Sequence, residues 1–194
     1  FGINLAKLDI RQESSRHSQV LAEYIKKKNN SDFLKWNEEK KIKYLLSEMK
    51  KNKYSFKNFD FKNKENKEVW STFKILSDQP KECLGAYVIS MTTSASDILS
   101  VSFLQKEAKI KDKLRVVPLF ETLDDLINAK SIMENLFSKA WYRKLIKNKQ
   151  EVMIGYSDSS KDAGKMCASW HQYKAQEQIV KLAKKFKIKV VFFH

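Results

Sequence analysis

The sequence has 194 residues, of which 42% are hydrophobic and 12% aromatic, and a formal net charge of +15. This composition predicts a folded chain with a substantial core, and a transmembrane helix is excluded because no apolar run approaches the roughly 20 residues of a membrane span. The start of the sequence shows no pattern of a secretory leader. Cys83 and Cys167 are too sparse for a disulfide framework and predict ordinary buried thiols, so we expect a cytoplasmic location.

Short apolar runs alternate with longer helical patterns along the chain. The runs are rich in Val, Ile, Leu and Phe, which is typical of strands buried on both faces of a parallel sheet. The predicted strands are 3–10, 85–91, 114–120, 151–156 and 188–193. The predicted helices after the second strand are 94–106, 122–148 with a break near Ser138, and 161–187.

A long, mainly helical and polar excursion is predicted over residues 13–78, between the first two strands. The run from Trp36 to Glu39 predicts the entry of a helix, whose apolar side includes Leu45 and Met49. Residues 50–67 are dense in Lys, Asn and Phe without a clear period, which predicts an exposed, variable polar loop.

The alternation of strands and helices predicts parallel pairing through right-handed crossovers, so that all strand ends point to one edge. About five strands are too few for an eight-stranded barrel, which typically takes about 250 residues. The predicted fold class is therefore α/β and helix-rich, either a small open sheet or a partial (β/α)8 TIM-type barrel. Both ends of the chain resemble the interior of a strand, so we expect the chain to be a piece of a longer protein.

The segment from Gly155 to Gly164 is predicted to be a loop between a strand and a helix. Its small residues leave room, the Asp158 carboxylate can hold a cation, and Lys161 can face an anionic substrate. In the helix that follows, five apolar residues recur at helical spacing, which predicts core packing. They are Met166, Trp170, Tyr173, Val180 and Ala183.

Charged or titratable side chains follow four of the predicted strands, at the edge that hosts catalysis in barrels. They are Arg11, Glu121, Asp158 with Lys161, and His194. Glu121 and Asp158 form a candidate metal pair, because carboxylate oxygens with few other protein ligands suit Mg²⁺ or Mn²⁺. The alternative is that Glu121 is a helix N-terminal carboxylate that the helix dipole stabilises.

Arg11 and Lys161 could neutralise a substrate phosphate, Arg11 through two parallel hydrogen bonds and Lys161 as a point charge. The alternative for Arg11 is a buried ion pair, for example with Asp9 or Glu13. His194 could be a base or a phosphate donor, although a lone histidine is more often structural.

The net charge of +15 also favours nucleic-acid binding. However, arginine is the preferred residue for phosphate recognition, and nearly all the cations here are lysines. The arginines are Arg11, Arg16, Arg115 and Arg143. A basic, non-catalytic nucleic-acid-binding domain therefore remains an alternative and not the main prediction.

Several segments resemble motifs of the phosphoenolpyruvate carboxylase family and occur in the family's order. They are residues 8–14 (LDIRQES) with Arg16-His17, residues 86–91 (AYVISM) with 96–99 (SDIL), residues 117–123 (VPLFETL), residues 141–143 (WYR), residues 149–164 (KQEVMIGYSDSSKDAG) and Phe193-His194. The departure from the family pattern lies in residues 26–67, which are lysine- and asparagine-rich.

The resemblance implies a large, mostly helical enzyme on an eight-stranded α/β barrel, usually a homotetramer, in which residues 1–194 are a central part of one catalytic barrel domain. Such an enzyme converts phosphoenolpyruvate and bicarbonate to oxaloacetate and inorganic phosphate, with Mg²⁺ or Mn²⁺ as cofactor. By position, Glu121 and Asp158 match the family's metal ligands, and Arg11 matches an arginine at the substrate phosphate. Lys161 and His194 match further active-site residues.

The resemblance also implies that the chain lacks parts of the active site. The family's essential histidine on an earlier strand and the arginine-bearing loop after His194 are not in the sequence, so we expect the chain alone to be inactive and to bind metal weakly. Another Mg²⁺-dependent barrel enzyme of phosphoenolpyruvate or pyruvate chemistry is the second alternative, beside the nucleic-acid-binding domain.

Overall fold

The computed structural model describes residues 6–51, 53–56 and 58–194. The helices are α1 (Ser14–Asn29), α2 (Glu38–Lys50), α3 (Lys64–Asp78), α4 (Ala95–Glu107), α5 (Leu123–Phe137), α6 (Ala140–Leu145), α7 (Tyr156–Ala163) and α8 (Lys165–Phe186). The strands are β1 (Leu8–Glu13), β2 (Leu84–Ser90), β3 (Arg115–Phe120), β4 (Lys149–Ile154) and β5 (Lys189–Phe193).

The five strands form one parallel sheet in the order β1-β2-β3-β4-β5. The order confirms the predicted helix-rich α/β class and is consistent with part of a barrel. β2 is buried along Gly85–Ile89, as predicted for a strand covered on both faces, whereas β4 alternates between buried and more exposed residues. No helix in the described ranges combines the length and the apolar character needed to cross a membrane.

The chain divides into two compact units, and the first comprises the described residues of Phe1–Tyr87 and Ser96–Val116. Its core is rich in aromatic rings around Phe56. The Phe56 ring centroid lies 4.4 Å from that of Tyr24, 5.0 Å from Trp70 and 5.8 Å from Phe103. These contacts join the segment before α3 to α1, α3 and α4.

The second unit comprises Val88–Ala95 and Val117–His194. α5 packs against α8, and α8 also packs against α7. The α5 boundary follows from a capping box, in which the Thr122 side chain accepts the Asp125 N–H and the Asp125 carboxylate accepts the Thr122 N–H. The break predicted near Ser138 is confirmed, because α5 ends at Phe137 and α6 begins at Ala140.

The predicted loop over residues 50–67 is wrong in part. Phe56 and Phe61 are 1% and 4% exposed, and α3 already begins at Lys64. The phenylalanines lack a regular period because they enter the aromatic core from irregular backbone. Residues 52 and 57 of that stretch lie outside the described residues.

The predicted loop from Gly155 to Gly164 is also wrong, because most of it is the helix α7. Its serines satisfy local carbonyl groups: Ser159 Oγ donates to the Gly155 carbonyl at 2.6 Å, and Ser160 Oγ donates to the Tyr156 carbonyl at 2.8 Å. The predicted strand over 151–156 therefore ends earlier, at Ile154, and the predicted helix over 161–187 is divided at Gly164.

The apolar stripe predicted to pack in the core lies mainly on the exposed face of α8. Met166 is 89% exposed and Trp170 56% exposed, while Ala183 is buried. α8 has a second face on which smaller apolar residues recur at the same helical spacing. This second face is the buried one, so the predicted stripe is left exposed. Its apolar members include Ala168, Ala175, Ile179 and Leu182. The cysteines are free and half-buried, not fully buried as predicted.

Candidate active site

The carboxyl ends of β3, β4 and β5 are level with one another. The β3–β4 register pairs Phe120 with Ile154, and the β4–β5 register, continued by one residue, brings Ile154 level with His194. Glu121 follows Phe120 directly. The polar residues that follow these three strands therefore lie at one edge of the second unit, which we call the strand-end edge: Glu121, Tyr156, Asp158, Lys161 and His194.

Glu121 is half-buried and lies between the end of β3 and the start of α5. Its backbone N–H donates to Asp125 Oδ2 at 3.3 Å, and the same oxygen accepts the Thr122 N–H at 3.1 Å. The acids in the first turn of α5 are Asp124 and Asp125. The helix-dipole alternative for Glu121 is thus weakened, because Glu121 precedes the N-cap Thr122 and the first turn already has acids.

Asp158 belongs to the first turn of α7, where the helix dipole favours a carboxylate. Its Oδ1 accepts a hydrogen bond from Lys161 Nζ at 3.2 Å, one turn further along the helix. The Asp158 side chain is 54% exposed and that of Lys161 77% exposed. An ion pair so exposed is weak, so either partner can exchange it for another ion at little cost.

Gly155 allows the end of β4 to lie directly against Glu121. The Gly155 N–H donates to the Phe120 carbonyl at 2.9 Å. A Cβ on residue 155 would lie 2.5 Å from the Glu121 Cβ and 3.0 Å from its Cα. The absence of a side chain therefore keeps the segment before Asp158 close to the backbone of Glu121.

His194 follows the end of β5, and its ring packs edge-on against Tyr156, with ring centroids 5.2 Å apart. This contact ties the third strand end to the start of α7. His194 is exposed, so its imidazole is open to solvent at the strand-end edge.

Arg11 belongs to the first unit and lies within β1, whereas the sequence placed it after a strand. Residues 3–5 of that predicted strand lie outside the described residues. β1 alternates between exposed and half-buried residues, and Arg11 is on its exposed face. A strand at the end of the sheet order can keep polar residues on one face, which is why β1 extends through Arg11 to Glu13. The exposure of Arg11 also argues against a buried ion pair.

The strand-end edge fits a divalent cation by its donor chemistry. Glu121 and Asp158 offer carboxylate oxygens from neighbouring strand ends, and Gly155 allows the two segments to lie directly against each other. Among the described residues, no group of three or more His, Cys, Asp or Glu side chains could hold a metal ion. Two carboxylates suit Mg²⁺, which retains water or substrate oxygens in its other positions.

Sequence reasoning missed the residues that support this edge. Asp162 Oδ2 accepts the Leu123 N–H at 2.8 Å, and Gln172 Nε2 donates to Ser159 Oγ at 2.6 Å. The capping box at Thr122 was visible in the sequence as a Thr followed three residues later by an Asp. The other two contacts join residues far apart in the chain and have no local pattern.

Comparisons with the sequences of known proteins match the chain to one family over its whole length. A family model described as Phosphoenolpyruvate carboxylase matches residues 1–194. Over 194 residues the chain is 51% identical to the phosphoenolpyruvate carboxylase of Flaveria pringlei and 52% identical to the C4 phosphoenolpyruvate carboxylase of Flaveria trinervia. It is 49% identical over 195 residues to phosphoenolpyruvate carboxylase 3 of Arabidopsis thaliana. Each comparison covers 100% of this chain and 20% of the relative, so the chain spans about a fifth of their length.

Proposed function

The chain belongs to the phosphoenolpyruvate carboxylase family, and from this membership we propose that the full-length protein converts phosphoenolpyruvate and bicarbonate to oxaloacetate and inorganic phosphate. Such a lyase fixes carbon dioxide and replenishes the four-carbon acids of the tricarboxylic acid cycle. The supporting observation is the strand-end edge, where Glu121, Asp158 and His194 follow three neighbouring parallel strands whose carboxyl ends are level.

Glu121 and Asp158 are the proposed ligands of Mg²⁺ or Mn²⁺. The proposal is supported by their carboxylate chemistry, by the close approach of Gly155 to Glu121 and by the weak ion pair of Asp158. When bound, the ion stabilises negative charge that develops on substrate oxygens.

Lys161 and Arg11 are the proposed phosphate-binding cations. Lys161 has a long, exposed side chain on the helix that holds Asp158, so its ammonium can turn from that carboxylate to a phosphate oxygen. The role of Arg11 rests on the family resemblance, and its guanidinium can bind two phosphate oxygens at once. His194 can donate a hydrogen bond to phosphate or hold a proton at a ring nitrogen.

The 194-residue chain alone is proposed to be inactive. Carboxyphosphate and the enolate of pyruvate are the unstable intermediates that the family's chemistry implies, and they need a site from which water is excluded. Asp158, Lys161 and His194 are exposed in this chain, and the chain spans 20% of its relatives. The remaining length of the full protein is proposed to close the site. Its homotetrameric assembly and cytoplasmic location also remain proposals.

The test is oxaloacetate formation by the purified full-length protein. It is monitored as the oxidation of NADH when malate dehydrogenase reduces the oxaloacetate. We expect turnover to require phosphoenolpyruvate, bicarbonate and Mg²⁺ together. Glu121→Gln and Asp158→Asn are each expected to lower kcat/KM by at least about 100-fold, because outer-shell substitutions at metal sites already cost 10- to 100-fold.

Asp124→Asn is the matched control, because Asp124 is an exposed acid three residues after Glu121 in the first turn of α5. This variant should retain activity within a few-fold of the parent protein. Formation of pyruvate without oxaloacetate would favour the alternative barrel enzyme. Full activity of both ligand variants would refute the proposed metal site.

A further inference from the structure

α7 holds Asp158 and Lys161, and two side-chain contacts fix its position in the second unit. The first contact joins Asp162, near its C-terminal end, to the start of α5, through the 2.8 Å hydrogen bond from the Leu123 N–H to Asp162 Oδ2. The second joins its middle to α8, because the buried Ser159 hydroxyl accepts from the buried Gln172 amide at 2.6 Å.

The contact to α5 links the segments of the two proposed metal ligands. Leu123 follows the N-cap Thr122 and is the first residue of α5, so its N–H has no partner within the helix. Glu121 precedes Leu123 by two residues. Asp162 follows Asp158 by four residues, which puts the two acids on the same side of α7. The carboxylate of Asp162 therefore connects the backbone beside Glu121 to the helix that holds Asp158.

We propose that Asp162 is a positioning residue that fixes the separation of the Glu121 and Asp158 carboxylates by accepting the Leu123 N–H. This inference rests on the proposed function, since it assumes that these two acids bind the metal. Asp162 acts through the N-terminus of α5 and not as a metal ligand, because its Oδ2 already accepts the Leu123 N–H.

The test measures the dissociation constant of Mn²⁺ on the full-length protein by electron paramagnetic resonance of the free ion, so that the readout is independent of turnover. We expect Asp162→Ala to raise this constant by about 10- to 100-fold, as is usual for residues that orient metal ligands. Asp162→Asn retains an oxygen that can accept the Leu123 N–H and should stay within a few-fold of the parent protein. At saturating Mn²⁺, the kcat of Asp162→Ala should recover to within a few-fold.

Substitution of the donor gives an independent test. Leu123→Pro removes the N–H but suits the first position of a helix, and Thr122 already has the extended backbone (φ −96°, ψ 165°) that a residue before proline prefers. Leu123→Ala is the matched control, because it removes the side chain and keeps the N–H. We expect weaker Mn²⁺ binding for Leu123→Pro than for Leu123→Ala, and no further weakening when Asp162→Ala is added to Leu123→Pro.

Parental Mn²⁺ affinity in Asp162→Ala would overturn the inference, and so would equal affinity in Leu123→Pro and Leu123→Ala. An Asp162→Asn variant as weak as Asp162→Ala would overturn it too, because the charge and not the hydrogen bond would then matter. Asp158→Asn separates the two proposals. If it abolishes Mn²⁺ binding while Asp162→Ala does not weaken it, only the positioning role fails. If Asp158→Asn binds Mn²⁺ normally, the proposed metal site itself fails.

Discussion

Acidic side chains have different partners in the two compact units. In the first unit, the Glu107 side chain is 0% exposed, and its Oε2 accepts the backbone N–H groups of Ser55 and Phe56. At the strand-end edge of the second unit, the Asp158 side chain is 54% exposed and bonds to the flexible ammonium of Lys161.

The difference indicates which carboxylates can take part in ligand binding. A carboxylate that accepts buried N–H groups cannot leave them without exposing unsatisfied donors, which is costly. An exposed carboxylate paired with a lysine loses little when the lysine is replaced by another cation. Glu107 therefore maintains the fold of the first unit, whereas Asp158 is able to bind an ion.

The largest expected effect is that of Glu107→Ala. We expect the free energy of local opening around Ser55 and Phe56 to fall by about 3–5 kcal/mol, because the substitution leaves the nearby Lys106 ammonium and two N–H groups without their carboxylate. Amide hydrogen exchange in the full-length protein measures this. Glu107→Gln keeps an acceptor oxygen and should cost less, and unchanged protection of the Phe56 amide in Glu107→Ala would contradict the structural role.

The second prediction concerns His17, whose pKa burial lowers from 6.5 to about 3. Its Nε2 lies 2.8 Å from the Tyr87 hydroxyl oxygen. Because the unfolded chain binds this proton more readily than the folded one, stability is full above pH 6.5 and decreases as the pH falls, by about 2 kcal/mol between pH 7.5 and pH 5. The urea concentration at which α1 loses hydrogen-exchange protection measures the decrease.

His17→Phe is the control for that titration. Phenylalanine can pack against the neighbouring rings of Phe73 and Tyr87 but has no proton to bind. Its urea midpoint should therefore depend less on pH between 7.5 and 5. The same pH dependence in the parent and in the variant would exclude His17 as its source.

The third prediction compares Gly155 and Gly164, the two glycines that flank α7. Gly155→Ala introduces a Cβ 2.5 Å from the Glu121 Cβ, whereas the same atom on Gly164 meets nothing within 4 Å, and Gly164 has a φ of +76°. Overpacking in the first case and backbone strain in the second should each cost about 1–3 kcal/mol.

The two glycine variants should differ in Mn²⁺ affinity. Gly155→Ala must displace Glu121 and should weaken binding, while Gly164→Ala should bind the ion like the parent protein. Calorimetric titration of full-length variants gives both constants. Equal affinities would show that the close approach at Gly155 does not matter for the metal site.

The smallest expected effect on stability is that of Lys161→Met. Loss of its exposed ion pair with Asp158 should change the free energy of unfolding by less than about 1 kcal/mol, but the KM for phosphoenolpyruvate should rise. Lys185→Met is the matched control, since it removes a similarly exposed pair with Glu134 at 3.3 Å. An equal rise in KM for both variants would count against a specific phosphate contact by Lys161.

Local patterns predicted much of the fold and of the site. Strand β3 and helices α4 and α5 begin and end within one or two residues of their predicted bounds, because short buried strands and helix caps leave signals in neighbouring residues. The location of Glu121, Asp158 and His194 after strands that end at one edge followed from parallel pairing alone, since parallel strands direct their carboxyl ends to the same side.

The sequence by itself determined the alternation of strands and helices, the family and the acids that follow the strands, because these depend on local spacing and residue type. The tertiary structure alone decided which face of α8 is buried, since two faces with the same spacing compete and only their neighbours distinguish them. It also decided the contact of Asp162 with Leu123. Such a hydrogen bond forms between residues distant in sequence, and no local pattern encodes it.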